Sequence, residues 1–178
     1  MALKATIFKV ELNIADMDRH YYQDHVLTIA RHPSENDERM MLRILAFAMH
    51  AHADLCFTKG LCVDDEPDLW QKSPANEIEV WIDLGQPDEK RLKKACGRAK
   101  QVYVYPYNTR SATVWWQQME NKLARFNHLK VIHLPEEQVT ALAKLAKRNM
   151  GLQCSIQDAE IWLGDEKETV HIRPDVWK

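Results

Sequence analysis

Between Ile78 and Ala99 the apolar residues change from a two-residue spacing to a helical one, and this switch constrains the fold more than any other feature. Ile78, Val80, Ile82 and Leu84 alternate, which predicts a strand over 77–84 with one buried face. The other face carries Glu79, Trp81 and Asp83, and a tryptophan there implies that this face is covered too. Pro87 is then expected in the first turn of a helix over 87–100, with Asp88 and Glu89 at the positive end of its dipole. QVYVYPY, residues 101–107, returns to a short apolar strand. A carboxylate, Asp83, thus stands where a strand gives way to a helix.

The remaining chain extends this pattern. Residues 5–15 and 21–31 alternate and predict a hairpin across the DMDRH turn. A helix is expected from Ser34 as N-cap, with Asp37 and Glu38 in its first turn. Further helices are expected over 109–127 and from Pro135, a strand over 129–134, a hairpin over 151–163 turning near Asp158, and a last strand around TVHIR. From residue 34 the order is helix, three strands, helix, strand, helix, strand. With 46% hydrophobic residues to fill a core and no repeat or low-complexity tract, one mixed α/β domain over 1–178 is expected.

Charge and cysteine usage narrow the function classes. A net charge of -2 argues against a protein that coats nucleic acid or membrane by bulk charge. The N-terminus alternates instead of running apolar, and no stretch approaches the ~18 apolar residues of a membrane span. A cytoplasmic protein without membrane association is expected. Cys56, Cys62, Cys96 and Cys154 form no C-x-x-C pair and are expected as buried, reduced thiols. Signatures of a nucleotide-phosphate loop, a serine hydrolase elbow and a zinc protease helix do not occur.

Three acidic features break their surroundings. Glu38 falls inside the apolar stripe of Met41, Leu42, Leu45 and Met49. DDEPD, residues 64–68, crowds four carboxylates into five positions. Two carboxylates 4 Å apart repel by about 4 kcal/mol at an effective dielectric of ~20, which either solvation as an exposed acidic loop or a divalent cation would relieve. Asp83, the third, has Asp68 as its expected companion, brought beside it by a turning strand.

This order of elements, with one acid ending a strand and another on the next, resembles the core of the PD-(D/E)xK nucleases. HPSENDERMMLR, GLCVDDEP, VWIDLGQPDEKRLKKAC, YNTRSATVWWQQ and LQCSIQDAEIWL together resemble the YaeQ family of small bacterial proteins, whose fold is a variant of that core. The resemblance implies a restriction-endonuclease-like mixed-sheet core flanked by helices, with an added N-terminal β-hairpin and C-terminal strands. It implies that Asp68 and Asp83 bind Mg²⁺ or Mn²⁺, with Glu38 as a further ligand and the Leu84 carbonyl assisting. Gly85 stands where the superfamily carries its lysine, and Lys93 of the following helix, ~100° from that helix's buried stripe, is the expected substitute. The functional expectation is a divalent-metal-dependent nuclease or phosphodiesterase gripping nucleic acid through Lys90, Arg91, Lys94, Arg98, Lys100 and Arg110. The alternative is a catalytically inactive module that binds nucleic acid or a protein partner, a regulator of gene expression. A third reading takes one of the adjacent Trp115 and Trp116 as an exposed partner surface.

Overall fold

The N-terminal alternation closes a hairpin: β1 (Thr6–Asp16) and β2 (Tyr21–Arg31) pair antiparallel from Thr6↔Arg31 to Asp16↔Tyr21. Phe8, Val10, Leu12 and Ile14 of β1 are buried, while Lys9, Glu11 and Asn13 between them are exposed. The structure, a computed structural model, describes residues 3–59, 61 and 63–178, and Cys62 lies outside them. The chain divides into two compact units, Met1–Met49 with Glu137–Arg173, and His50–Glu136 with Pro174–Lys178.

In the first unit the hairpin joins β8 (Asn149–Gln157), β9 (Glu160–Gly164) and β10 (Thr169–Ile172) in a five-stranded sheet of order β10-β9-β8-β1-β2. β8 runs parallel to β1, and the other pairs are antiparallel. Helix α1 (Asp37–His50) starts later than its sequence suggests. Asn36, not Ser34, caps it, accepting from the Arg39 N–H at 2.9 Å, while the Ser34 hydroxyl bonds His32 at 2.6 Å. Helix α4 (Glu136–Ala143) is short, its end tightening into i→i−3 bonds at Lys144, Leu145 and Ala146 before β8, in which Met150, Leu152, Cys154 and Ile156 alternate inward.

Gly164 ends β9 where the chain folds back on itself. A Cβ there would stand 2.3 Å from the Glu168 carbonyl oxygen and 2.6 Å from the Thr169 Cα, both backbone atoms that cannot rotate away. Gly164→Ala therefore costs about 3 kcal/mol by forcing the β9–β10 turn open. Urea denaturation measures this, and an unchanged midpoint would refute the close approach.

The second unit is built on parallel crossovers. Strands β5 (Ile78–Leu84), β6 (Ala99–Tyr105) and β7 (Leu129–His133) are parallel neighbours, connected by α2 (Glu89–Arg98) and α3 (Thr109–Leu123). β4 (Leu69–Lys72) and β3 (Leu55–Phe57) continue the sheet antiparallel beyond β5, and β11 (Asp175–Val176) pairs with β7, giving the order β11-β7-β6-β5-β4-β3. Successive crossovers of one hand, each advancing one strand, set both helices on the same sheet face. Trp81, Val102, Val104 and Val131 accordingly pack with Leu92, Ala95 and Cys96 of α2 and with Trp115, Met119 and Leu123 of α3. The class is the expected α+β, with two mixed sheets and four helices among the described residues.

Several local expectations shift. Pro87 precedes α2 instead of opening it, and Asp88 is the N-cap, its side chain accepting from the Arg91 N–H at 2.8 Å. Cys96 and Cys154 are buried thiols, pushed up by burial to about 11 and about 12, whereas Cys56 on the outer strand β3 is exposed. Trp115 is buried and Trp116 partly so, its ring stacked against Trp177 at 6.0 Å, so the pair belongs to the core and its margin. No helix among the described residues is long and apolar enough to cross a membrane.

Candidate functional site

Strand register brings the two predicted acids together. β4 and β5 pair at Leu69↔Ile82 and Trp70↔Trp81, so Asp68, just before β4, stands by the end of β5, near enough to Asp83 for its charge to act on that carboxyl. Backbone bonds hold the junction: the Asp68 N–H donates to the Ile82 carbonyl at 2.9 Å, and the Leu84 N–H donates to Asp68 Oδ2 at 2.8 Å. Asp68 and Asp83 are buried, at 4% and 2% exposure. Two charges so placed and withdrawn from water need a cation.

Arg91 is that cation. Asp88 fixes where α2 begins, so Arg91 lies one turn in, on the side facing the end of β5. Its guanidinium grips Asp83 with two bonds, Nε to Oδ2 at 3.0 Å and an Nη to Oδ1 at 2.8 Å. The Trp81 indole N–H gives Oδ2 a second donor at 3.0 Å. The same guanidinium donates to the Asp64 carbonyl at 2.9 Å and the Glu66 carbonyl at 2.7 Å, tying the acidic loop to α2. Lys94 pairs with Asp65, and Arg98 donates to the Asp65 carbonyl at 2.9 Å. The Asp65 carboxylate and the backbone carbonyls of Asp64, Asp65 and Glu66 are thus answered by one helix face.

Burial raises Asp83 above the ordinary carboxyl range, with the Asp68 charge acting in the same sense, while Arg91 and the Trp81 N–H oppose the rise. Arg91 is raised in turn, chiefly by its bonds to Asp83. Beside the pair opens a cleft of about 460 Å³ lined by Asp64, Asp65, Asp88, Lys90, Arg91 and Lys94.

Lys93 does not join the acidic pair. Lys93 is on the outer side of α2, ion-paired with Glu89 at 2.7 Å. Glu38 belongs to the first unit, half-buried in the first turn of α1. Gly85 adopts φ +95°, a conformation that favours glycine over the expected lysine. Gln86 bonds the Ser111 hydroxyl at 2.8 Å. Lys100 is engaged by Glu77 and Glu79 at 3.2 and 2.7 Å, while Lys90 and Arg110 are exposed. Arg91, expected among phosphate-gripping residues, faces inward instead, and the sequence signal for this was the N-cap at Asp88, which sets the helix phase.

The donors around the acidic pair do not match what Mg²⁺ takes, which is oxygen ligands in near-octahedral array. Both Asp83 oxygens already accept N–H donors, and Asp68 Oδ2 accepts from Leu84. Among the described residues no group of three or more His, Cys, Asp or Glu side chains is placed to hold a metal ion.

Comparison with known proteins matches this architecture over nearly its whole length. A chain in the crystal structure of YaeQ protein from Xanthomonas axonopodis pv. citri superposes with a TM-score of 0.95 at 44% identity, covering 98% of each chain. That from Pseudomonas syringae gives 0.93 at 32% identity, covering 98% of this chain and 96% of that one. Proteins named "Uncharacterized protein YaeQ" from Escherichia coli (strain K12) and Salmonella typhi are each 48% identical over 178 residues, all of this chain and 98% of theirs. The family model described as YaeQ protein matches residues 1–174, and the chain belongs to the YaeQ family.

Proposed function

We propose that this chain is a variant of the PD-(D/E)xK core whose acidic pair is held by an internal arginine, and that it acts as a binding module instead of a metal-dependent nuclease. The observation that carries this reading is the two-bond grip of Arg91 on Asp83. A guanidinium there neutralises the charge that Mg²⁺ would neutralise and occupies one lone pair on each Asp83 oxygen. Gly85 in the lysine position supports the same reading, since glycine has no group to activate water.

The cleft beside the pair favours a protein segment as partner. Its lining balances Asp64, Asp65 and Asp88 against Lys90, Arg91 and Lys94, and Arg91 and Lys94 are already paired. A polyanion gains affinity from unpaired cations that displace counterions, whereas a peptide of mixed charge can match both signs.

Calorimetric titration of the intact chain with Mg²⁺ and Mn²⁺, alongside cleavage assays on single- and double-stranded DNA and RNA, tests the proposal. The expected results are no saturable heat at millimolar metal and no cleavage above a blank. Mn²⁺-stimulated cleavage that disappears in Asp83→Asn would overturn it in favour of the nuclease. Retention of nucleic acid at low salt, lost in a Lys90→Ala and Arg110→Ala double variant, would keep the binding module and change its partner class.

A further inference from the structure

Away from the acidic pair, the second unit brings together three residues far apart in sequence. β7 ends at His133, and β11 pairs with it so that Asp175 lies directly across from His133. α3 begins at Thr109, after the loop in which the Pro106 carbonyl accepts from the Leu134 N–H at 2.9 Å. The result is a chain of side chains. His133 Nδ1 is 3.3 Å from Asp175 Oδ2, and His133 Nε2 is 3.2 Å from Thr109 Oγ1. The Glu136 N–H donates to the same hydroxyl oxygen at 3.3 Å.

A carboxylate beside Nδ1 favours the tautomer that carries its proton there. Asp175 accepts from Nδ1–H, which leaves the Nε2 lone pair to accept the Thr109 proton. His133 is 3% exposed and its ring lies flat on Trp177, with centroids 4.5 Å apart and planes 5° from parallel, so it cannot swing away. Thr109 is exposed. Beside it opens a cleft of about 560 Å³ whose lining includes Gln86, Asn108, Arg110, Ser111, Val114 and Glu136. The first amides of α3 have no partner within their own helix, and the Asn108 side chain makes no capping bond to them. A hydroxyl, a base within hydrogen-bond reach, a carboxylate orienting that base and N–H donors at a helix start are the parts of an acyl-transfer site.

We propose that Thr109, His133 and Asp175 form such a site, with Thr109 as nucleophile, His133 as base, Asp175 as positioning residue and a small carboxylic ester as substrate. Thr109 Oγ1 forms a bond to the ester carbonyl carbon while its proton passes to His133 Nε2. The carbonyl π electrons move onto oxygen, where the α3 amides face the developing charge. The tetrahedral adduct then expels the alcohol oxygen, which takes the proton back from Nε2 and leaves the acyl group on Thr109. Water completes the cycle by the same route, its proton passing through Nε2 to the departing Thr109 oxygen and releasing the carboxylic acid. The site shares no residue with the Asp68, Asp83 and Arg91 cluster, so it goes beyond the binding reading and does not depend on it.

The test uses the full chain with p-nitrophenyl acetate and, separately, an alkyl fluorophosphonate, reading p-nitrophenolate release and intact mass. The expected result is release above buffer and one phosphonyl adduct that maps to Thr109. Thr109→Val should lose both. Asp175→Asn should lower both rates by about 10²-fold or more by favouring the wrong tautomer, with an unchanged unfolding midpoint, and Asp175→Glu should restore part of the loss. Because Asp175 is 61% exposed, its variants keep the test decisive even where Thr109→Val fails to fold. No adduct on the native chain, an adduct on another residue, or Asp175→Asn reacting at the native rate would overturn the proposal.

Discussion

Arg91→Met is expected to lower the unfolding free energy by about 3 kcal/mol at neutral pH, the low end for stranding a buried charge, because Arg91 itself is partly solvated. The Asp83 side chain is 3% exposed and that of Arg91 29%, so the carboxylate suffers most of the loss. Methionine keeps much of the aliphatic bulk and removes the donors to Asp83, Asp64 and Glu66 together. The deficit depends on pH in a defined direction. Burial already raises Asp83 above its ordinary 3.8, and losing Arg91 removes the main influence holding it down. A raised carboxyl contributes stability that is fully present below its unfolded value and lost as pH rises through its folded value. Relative to the native chain, Arg91→Met is therefore weakest near pH 8 and recovers as pH falls toward about 4. Adding Asp83→Asn should return much of the loss, since the double variant buries no carboxylate there. Urea unfolding at several pH values measures all of this, and strictly additive costs in the double variant would dissolve the pairing argument.

Trp81→Ala is expected to cost about 4 kcal/mol, the scale for emptying a buried aromatic site. The ring is 1% exposed, packs edge-on against Trp70 at 6.3 Å between centroids, and carries the Arg98 guanidinium 5.4 Å from its own centroid. It also supplies the third donor to Asp83, so the variant both opens a cavity and strips a bond from a buried carboxylate. Trp81→Phe separates these effects. It keeps most of the apolar contact and deletes the indole N–H, and should cost about 1–2 kcal/mol. Thermal and urea denaturation of the two variants give the comparison. A phenylalanine variant as stable as the native chain would mean that the indole contributes only volume to the site.

Periodicity made most of the fold legible. The β1–β2 hairpin, the strand–helix–strand–helix–strand run from Ile78 to His133 and the late hairpin all follow from whether apolar residues recur every second position or every third and fourth. Helix ends were less legible. Asn36 and Asp88 were chosen as caps over Ser34 and Pro87 by hydrogen bonds that only the folded backbone offers. β11 was missed because Asp175 and Val176 form too short a segment to show a period, and they become a strand only by pairing with β7.

The acidic site divides in the same way. Its sequence alone determined that Asp83 ends a strand on a covered face, that Asp68 follows a proline, and that such charges need a partner. Tertiary structure alone decided which partner. Six basic side chains lie between residues 90 and 100, and side-chain chemistry does not distinguish them. The register of β4 on β5 and the phase of α2 over that register direct Arg91 to Asp83 and turn Lys93 outward to Glu89. Periodicity assigns each residue a face within its own element, whereas an ion pair between elements depends on how those faces are set against each other, and long-range packing supplies that.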